Sequence, residues 1–324
     1  IRSERIACII GTSKGGLTSF ARACATGPLR EQGGPTDSST DPAAAAWWSF
    51  LPNAAAATVA TRFGLEGPSL CPVAACATGL VSLIRGFSLI QSGEADVAVC
   101  GSADASVQLP VLASFRRLGV LARGFEDPAT ACRPFDESRN GFAVGEGAGI
   151  LVLESESHAR ARGAAISGRM LAGLGGADLS GITSVETEPA GLIHLLNAVC
   201  HAGGIAPARL GTISLHGTAT LANDLAESRA VQEVCGPATA GIPCTSLKGG
   251  LGHLLGAAGS VETAALLLGM RDGLVPPTVN LQRPGAGCCL SMATGQAVRK
   301  NLPFGLKLSL GFGGQLAAAL FARD

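Results

Sequence analysis

Cys76 stands in a run of small residues, Val73-Ala74-Ala75-Cys76-Ala77-Thr78-Gly79-Leu80, between an apolar stretch that predicts a strand (Leu70 to Ala75) and one that predicts a helix (Ala77 to Gln91). A thiol at a helix start is a candidate nucleophile, because the unpaired N–H groups and the helix dipole favour thiolate over thiol and lower a free pKa of about 8.5. The same N–H groups can receive a developing oxyanion. The competing reading is a buried packing thiol, since the chain has 11 cysteines and most intracellular cysteines behave as small hydrophobes.

Two of the five histidines strengthen the nucleophile reading. His216 follows the strand-like stretch Thr212 to Leu215 and opens His216-Gly217-Thr218-Ala219-Thr220, where a side chain projects from a sheet end into a cleft. His253 lies in the glycine-rich entry, Lys248 to Gly259, of a helix reaching Met270. His158, His194 and His201 fall in polar helical contexts and read as surface or packing residues. Asp224 and Glu227 share one face of a helix start, where the dipole stabilises carboxylates without any further role.

These groups need a frame. Strands are expected at Ile6 to Ile10, Leu70 to Ala75, Val97 to Gly101 and Gly149 to Glu154, with helices at about Asn53 to Phe63, Ala77 to Gln91 and Leu109 to Arg117. The second half repeats the style, with strands at Ser167 to Gly173, Thr212 to Leu215, Ile242 to Ser246, Phe304 to Gly311 and Gln315 to Phe321. Its helices are expected at Pro189 to Ala202, Asn223 to Val234 and up to Met270. The alternation predicts mixed α/β sheets covered by helices. Ala25 to Ala45 reads as a long surface loop. Gly145 to Gly149 precedes a strand rather than opening a helix, which argues against a dinucleotide loop.

Composition narrows the classes. The 24 basic and 24 acidic residues cancel, which disfavours a nucleic-acid partner. The cysteines show no C-x-x-C pair and no zinc-like Cys/His spacing, so no metal is expected, and the free thiols suit a reducing cytoplasm. The most apolar stretch, Ala43 to Ala60, is broken by Pro52-Asn53, so no membrane span is expected. Cys288 and Cys289 read as packed thiols.

Taken in series, Cys76-Ala77-Thr78-Gly79, Arg133-Pro134-Phe135-Asp136 with Gly141 to Gly149, His216-Gly217-Thr218-Ala219-Thr220, Lys248 with Gly252-His253 and Gly256-Ala257-Ala258-Gly259, and Gly311-Phe312-Gly313-Gly314 resemble the β-ketoacyl-acyl carrier protein synthases. The resemblance runs from about Ile6 to Phe321. It implies a thiolase-like fold, a duplicated α/β unit in five α-β-α-β-α layers, with halves at residues 1–160 and 161–324. It further implies a decarboxylative condensation of an acyl thioester with malonyl-acyl carrier protein, in fatty acid or polyketide assembly. Cys76 is then the acylated residue, His216 and His253 hydrogen-bond the malonyl thioester oxygen, and Lys248 supplies charge. The N–H groups of Cys76 and Phe312 form the oxyanion hole, and Phe312 gates the site between Gly311 and Gly313. Thr218 and Thr220 hold the phosphopantetheine arm, Glu262 pairs within the Lys248 network, and Asp224 is a further supporting residue of the site. No cofactor is implied beyond that carrier-borne arm.

Departures from the family pattern are Ala74 for a hydroxyl residue, Leu221 for Pro, Leu308 and Leu310 for Asn and Phe, and Gln315-Leu316 for Thr-Asn. The family's usual opening strand and helical region also have no match in this chain. The resemblance implies a dimer, with Ala95 to Gly101 as the expected interface strand and the cover of the first half supplied by other residues or a partner chain. Two other readings stay open: a chain-length-determining, non-condensing subunit of a ketosynthase heterodimer, and a coenzyme A-dependent thiolase-like enzyme, disfavoured because Phe312 stands where that branch has a second cysteine.

Overall fold

A computed structural model describes residues 2–25, 48–183 and 188–324. The expected loop from Ala25 to Ala45 lies outside these residues after its first position. The strands are β1 (Ile6–Gly11), β2 (Ser69–Leu70), β3 (Val97–Asp104), β4 (Gly147–Glu154), β5 (Arg169–Ala177), β6 (Thr212–Ser214), β7 (Cys244–Thr245), β8 (Leu274–Val275), β9 (Val298–Arg299), β10 (Phe304–Gly311) and β11 (Gln315–Ala322). The helices are α1 (Leu17–Ala25), α2 (Ala54–Phe63), α3 (Thr78–Gln91), α4 (Leu109–Leu118), α5 (Glu156–Ala161), α6 (Ala190–Ala202), α7 (Leu221–Cys235), α8 (Lys248–Leu251) and α9 (Ala258–Asp272).

Two sheets carry the architecture, in the orders β2-β1-β3-β4 and β5-β11-β10-β6-β7. Along β2-β1-β3-β4 the neighbours are parallel, parallel and antiparallel. Along β7-β6-β10-β11 the same sequence of directions recurs. The second sheet is extended by β5, antiparallel to β11, which has no counterpart beside β4 among the described residues. Pairwise identity between the halves does not show this duplication; strand order does.

Helices α3 and α9 touch both sheets, α2 covers the outer face of the first and α6 that of the second, so five α-β-α-β-α layers result. The central layer explains why α3 and α9 are rich in small residues. A Cβ on Gly79 of α3 would lie 2.5 Å from Ser260 N of α9, and one on Gly259 would lie 2.5 Å from Leu80 N, so the two helices meet backbone to backbone. Ile9, Leu80, Leu83 and Phe321 fill the core between the sheets. Ile213, Leu215, Leu306 and Leu308 join α6 and α7 in a second core.

Two expectations fail. The stretch Leu70 to Ala75 is a strand only to Leu70, because Pro72 cannot donate to a ladder and the chain must turn into Cys76. The stretch Ala95 to Gly101 cannot be an interface edge, because β3 is paired on both sides, to β1 and to β4; Ala95 and Val97 are buried instead. No helix among the described residues is long and apolar enough to cross a membrane.

Candidate active site

The turn that carries Cys76 is held open by local strain. Ala75 has φ 46°, a left-handed value that costs a non-glycine residue on the order of 1–3 kcal/mol. Thr78 Oγ1 stabilises that turn, accepting from Ala74 N at 2.9 Å and donating to Ala75 O at 2.7 Å. A single 3-10 turn, Ala75–Ala77, then leads into α3. The β10–β11 corner backs directly onto this turn. A Cβ on Gly311 would lie 2.6 Å from Ala74 O and 3.1 Å from Cys76 N, so only glycine allows the approach. Gly313 and Gly314, at φ +80° and +72°, complete the corner.

Burial pushes the Cys76 thiol up to about 11, against the opposing charges of Lys14 and Lys248; Asp104 raises it further, and the Phe312 backbone N–H lowers it. The helix start therefore does not leave a resting thiolate: desolvation outweighs it. The Phe312 N–H beside this sulfur puts the two amides expected of an oxyanion hole at one place.

The two histidines meet edge to face, ring centroids 5.3 Å apart, and both are buried. Desolvation, followed by the Lys248 charge, holds each imidazole well below its ordinary pKa, so both are neutral at pH 7. The His253 tautomer is fixed, since Leu255 N donates to His253 Nδ1 at 3.3 Å, leaving Nε2 with the proton. Residues 142–145 strap His253 in place: His253 N donates to Ala143 O at 2.7 Å and Gly145 N to His253 O at 2.9 Å. The glycine-rich segment before β4 is thus a backbone clamp. An aromatic line continues outward from His253 to Phe142 (5.0 Å), Phe115 (5.5 Å) and Phe312 (6.3 Å).

His216 is held from beneath by Glu227, and Phe135 by Asp224. Glu227 Oε1 accepts from His216 N and Oε2 from Gly217 N, both at 2.6 Å. Asp224 Oδ2 accepts from Phe135 N at 2.7 Å and lies 3.5 Å from Arg139 Nε. Burial pushes Asp224 up to about 7 and raises Glu227 as well. The helix dipole is not the explanation for these two residues; they cap loop amides in the interior. Thr218 Oγ1 and Thr220 Oγ1 lie 2.9 Å apart just beyond His216.

Beneath both histidines lies a charged triad. Lys248 Nζ donates to His216 O at 2.5 Å and to Glu262 Oε1 at 2.6 Å. Lys307 Nζ lies 2.7 Å from Glu262 Oε2 and donates to Leu215 O at 3.1 Å. Burial works against the Glu262 carboxylate, yet the Lys248 and Lys307 charges outweigh it and its pKa falls. Lys307 escaped the sequence reading; its signal was a lone cation at an inward position of the apolar strand Phe304–Gly311. The family departures Leu308 and Leu310 lie in the second core, and Leu221 is 63% exposed at the first position of α7.

This arrangement coincides with a known group of proteins. Residues 1–159 match the Beta-ketoacyl synthase N-terminal domain and residues 170–282 the Beta-ketoacyl synthase C-terminal domain. The 3-oxoacyl-[acyl-carrier-protein] synthase 2 of Synechocystis is 35% identical over 274 residues, 85% of this chain and 66% of its own length. The ketosynthase of a type II polyketide synthase, solved with its acyl carrier protein and a bound hexaketide, superposes with TM-score 0.92 at 29% identity, over 100% of this chain and 79% of that one. The ishigamide ketosynthase/chain length factor gives TM-score 0.87 at 30% identity, over 99% and 76%. The chain spans 66% of the length of the curated relatives it matches. Both halves of the family model, a shared thiolase-like fold and full-length superposition agree, and the chain belongs to the β-ketoacyl synthase family.

Proposed function

We propose that this chain is an acyl carrier protein-dependent condensing enzyme. Cys76 takes the acyl group from a carrier thioester: its sulfur bonds to the carbonyl carbon, the oxyanion rests on the Cys76 and Phe312 N–H groups, and the carrier thiolate leaves with the proton that Cys76 gives up. Malonyl-carrier then enters along Thr218 and Thr220. With its thioester oxygen hydrogen-bonded by His216 and His253, the malonyl unit loses CO2, and the C–C bonding pair becomes an enolate. The enolate carbon attacks the acyl-Cys76 carbonyl, and the Cys76 thiolate departs from a β-ketoacyl-carrier product.

The neutral, touching pair His216 and His253 carries this reading. A neutral imidazole, far less acidic than an imidazolium, donates a hydrogen bond to the thioester oxygen without handing its proton to the enolate. Burial and the Lys248 and Lys307 charges keep them neutral, Glu262 holds the two lysines in place, and Phe312 gates Cys76. The chain works in two halves, residues 1–160 bringing the thiol and 161–324 the histidines, in a dimer and in the cytoplasm. Intact-mass spectrometry after incubation with acyl-acyl carrier protein tests it: an acyl adduct on Cys76, discharged by malonyl-acyl carrier protein with release of CO2, is expected. A chain-length-determining subunit would give neither.

A further inference from the structure

The turn that fixes His253 is itself held from the opposite half of the chain. Leu255, whose N–H donates to His253 Nδ1, has φ 50°, a left-handed value that costs a non-glycine residue on the order of 1–3 kcal/mol and persists only where the surroundings over-determine it. Two contacts do so. The Leu255 side chain is buried in the apolar cluster that Cys76 also packs against. The next amide, Gly256 N, donates to Asp104 Oδ2 at 3.0 Å. With the N–H groups on both sides of the Leu255 Cα pinned, one on His253 and one on Asp104, the φ and ψ between them are set.

Asp104 is the last residue of β3 and is buried. The Ser13 and Ser106 hydroxyls donate to it, one to each oxygen, and Lys14 Nζ stands 3.7 Å away, so the carboxyl group is oriented from its own half of the chain. The approach requires glycine: a Cβ on Gly256 would lie 2.8 Å from Asp104 Oδ2 and 2.8 Å from Ser13 N. Two residues earlier, on the same face of β3, Ser102 Oγ meets Ser260 Oγ at 2.6 Å. The strand therefore grips the start of α9 at two points about one helical turn apart. The Asp104 point adjoins the amide that holds His253; the Ser102 point lies a turn beyond it.

We infer that Asp104 is a positioning residue for His253: by pinning Gly256 N it keeps Leu255 N on His253 Nδ1, and so keeps the proton on Nε2, the nitrogen left to donate to the malonyl thioester oxygen. This inference rests on the condensing reading proposed above. It makes a residue of the half that carries Cys76 responsible for the tautomer of a histidine in the other half.

The experiment reads the His253 tautomer from the NMR shifts of its ring nitrogens in the unaltered chain and in Asp104→Ala, Asp104→Asn and Ser102→Ala, with His253→Ala assigning the signals among the five histidines. A single Nε2–H form is expected in the unaltered chain. Asp104→Ala leaves Gly256 N without this acceptor and should give a mixture of the two tautomers, with CO2 release from malonyl-acyl carrier protein slower by roughly tenfold, since a misplaced group forfeits much of its effect. Asp104→Asn keeps an oxygen for Gly256 N, its NH2 facing Ser106, and should restore the single form and most of the rate. Ser102→Ala removes the neighbouring grip and should lower the urea midpoint with the tautomer unchanged. Should Asp104→Ala not fold, Asp104→Ser takes its place, because its hydroxyl falls one atom short of Gly256 N. A single Nε2–H form or an unchanged rate in that variant, a mixture in the unaltered chain, or a mixture in Ser102→Ala as well overturns the role of Asp104. Failure of the unaltered chain to release CO2 overturns the condensing reading instead, and the NMR comparison still decides whether Asp104 sets the tautomer.

Discussion

Glu262 holds Lys307 at 2.7 Å and Lys248 at 2.6 Å, one oxygen to each, in a site where all three side chains are at most 3% exposed. The triad has one more positive charge than negative. Removing Lys307 leaves a neutral Lys248–Glu262 pair, whereas removing Glu262 leaves two buried cations facing each other. Glu262→Gln should therefore cost about 3–5 kcal/mol, the usual penalty for stranding a buried charge, and Lys307→Met distinctly less. Urea denaturation of the two variants measures the difference; the reverse order would show that Lys307, not Glu262, anchors the network.

Lys307 marks where sequence reading stops. Cys76, His216 and His253 were legible because each sits at a change of hydrophobic pattern, Cys76 among small residues and the histidines beside glycines, and such transitions put side chains at sheet ends. Lys307 was not, because a single cation in an apolar strand has no periodic signal; only the register of β10 reveals what it faces. Asp224 and Glu227 were visible, but a helix start already gives carboxylates a reason to be there, and only burial shows that Glu227 holds the His216 turn and Asp224 the Phe135 amide. The duplication, too, lives in strand order rather than in residue identity.

The raised Cys76 thiol changes which cysteine reacts first. Cys289 is exposed, while Cys76 is partly buried with a pKa pushed up to about 11. Iodoacetamide should modify Cys289 before Cys76 at pH 7, and Cys76 alkylation should accelerate about tenfold per pH unit between pH 7 and 10, because only the thiolate reacts. Peptide mapping across that range checks both statements. A flat pH profile for Cys76 would mean that a neighbouring base already holds the proton.

Because both imidazoles lie well below their ordinary pKa, lowering the pH from 8 to 6 should leave malonyl decarboxylation nearly unchanged. His216→Ala and His253→Ala should each slow it by about 10²-fold or more, the loss typical of one oxyanion donor, while acyl transfer to Cys76 persists in part. Radiolabelled CO2 release and intact-mass acylation separate the two steps. A rate that falls steeply below pH 7 in the unaltered chain would show that one imidazole is protonated there, and the donor assignment would fail.

Asp224 has a contribution of predictable sign to the stability profile. Its pKa is pushed from 3.8 to about 7 by burial, so between those values the folded chain binds more protons than the unfolded one. The Asp224 contribution is then fully present below about pH 4 and is lost as pH rises through 7, on the order of 4 kcal/mol for a shift of this size. Glu227, raised by the same burial, acts in the same direction. Asp136 and Glu262, lowered from 3.8 and 4.5, act in the opposite direction but only at or below those values. His216 and His253, lowered well below 6.5, make stability rise with pH up to that value, so Asp224→Asn, which keeps an acceptor for Phe135 N and removes the titration, should make the slope of stability against pH between 4.5 and 7.5 more positive than in the unaltered chain. Urea midpoints at four pH values in that interval measure the slopes. Identical slopes for the two proteins would mean that Asp224 is ionised throughout, held by Arg139 at 3.5 Å more strongly than burial opposes it.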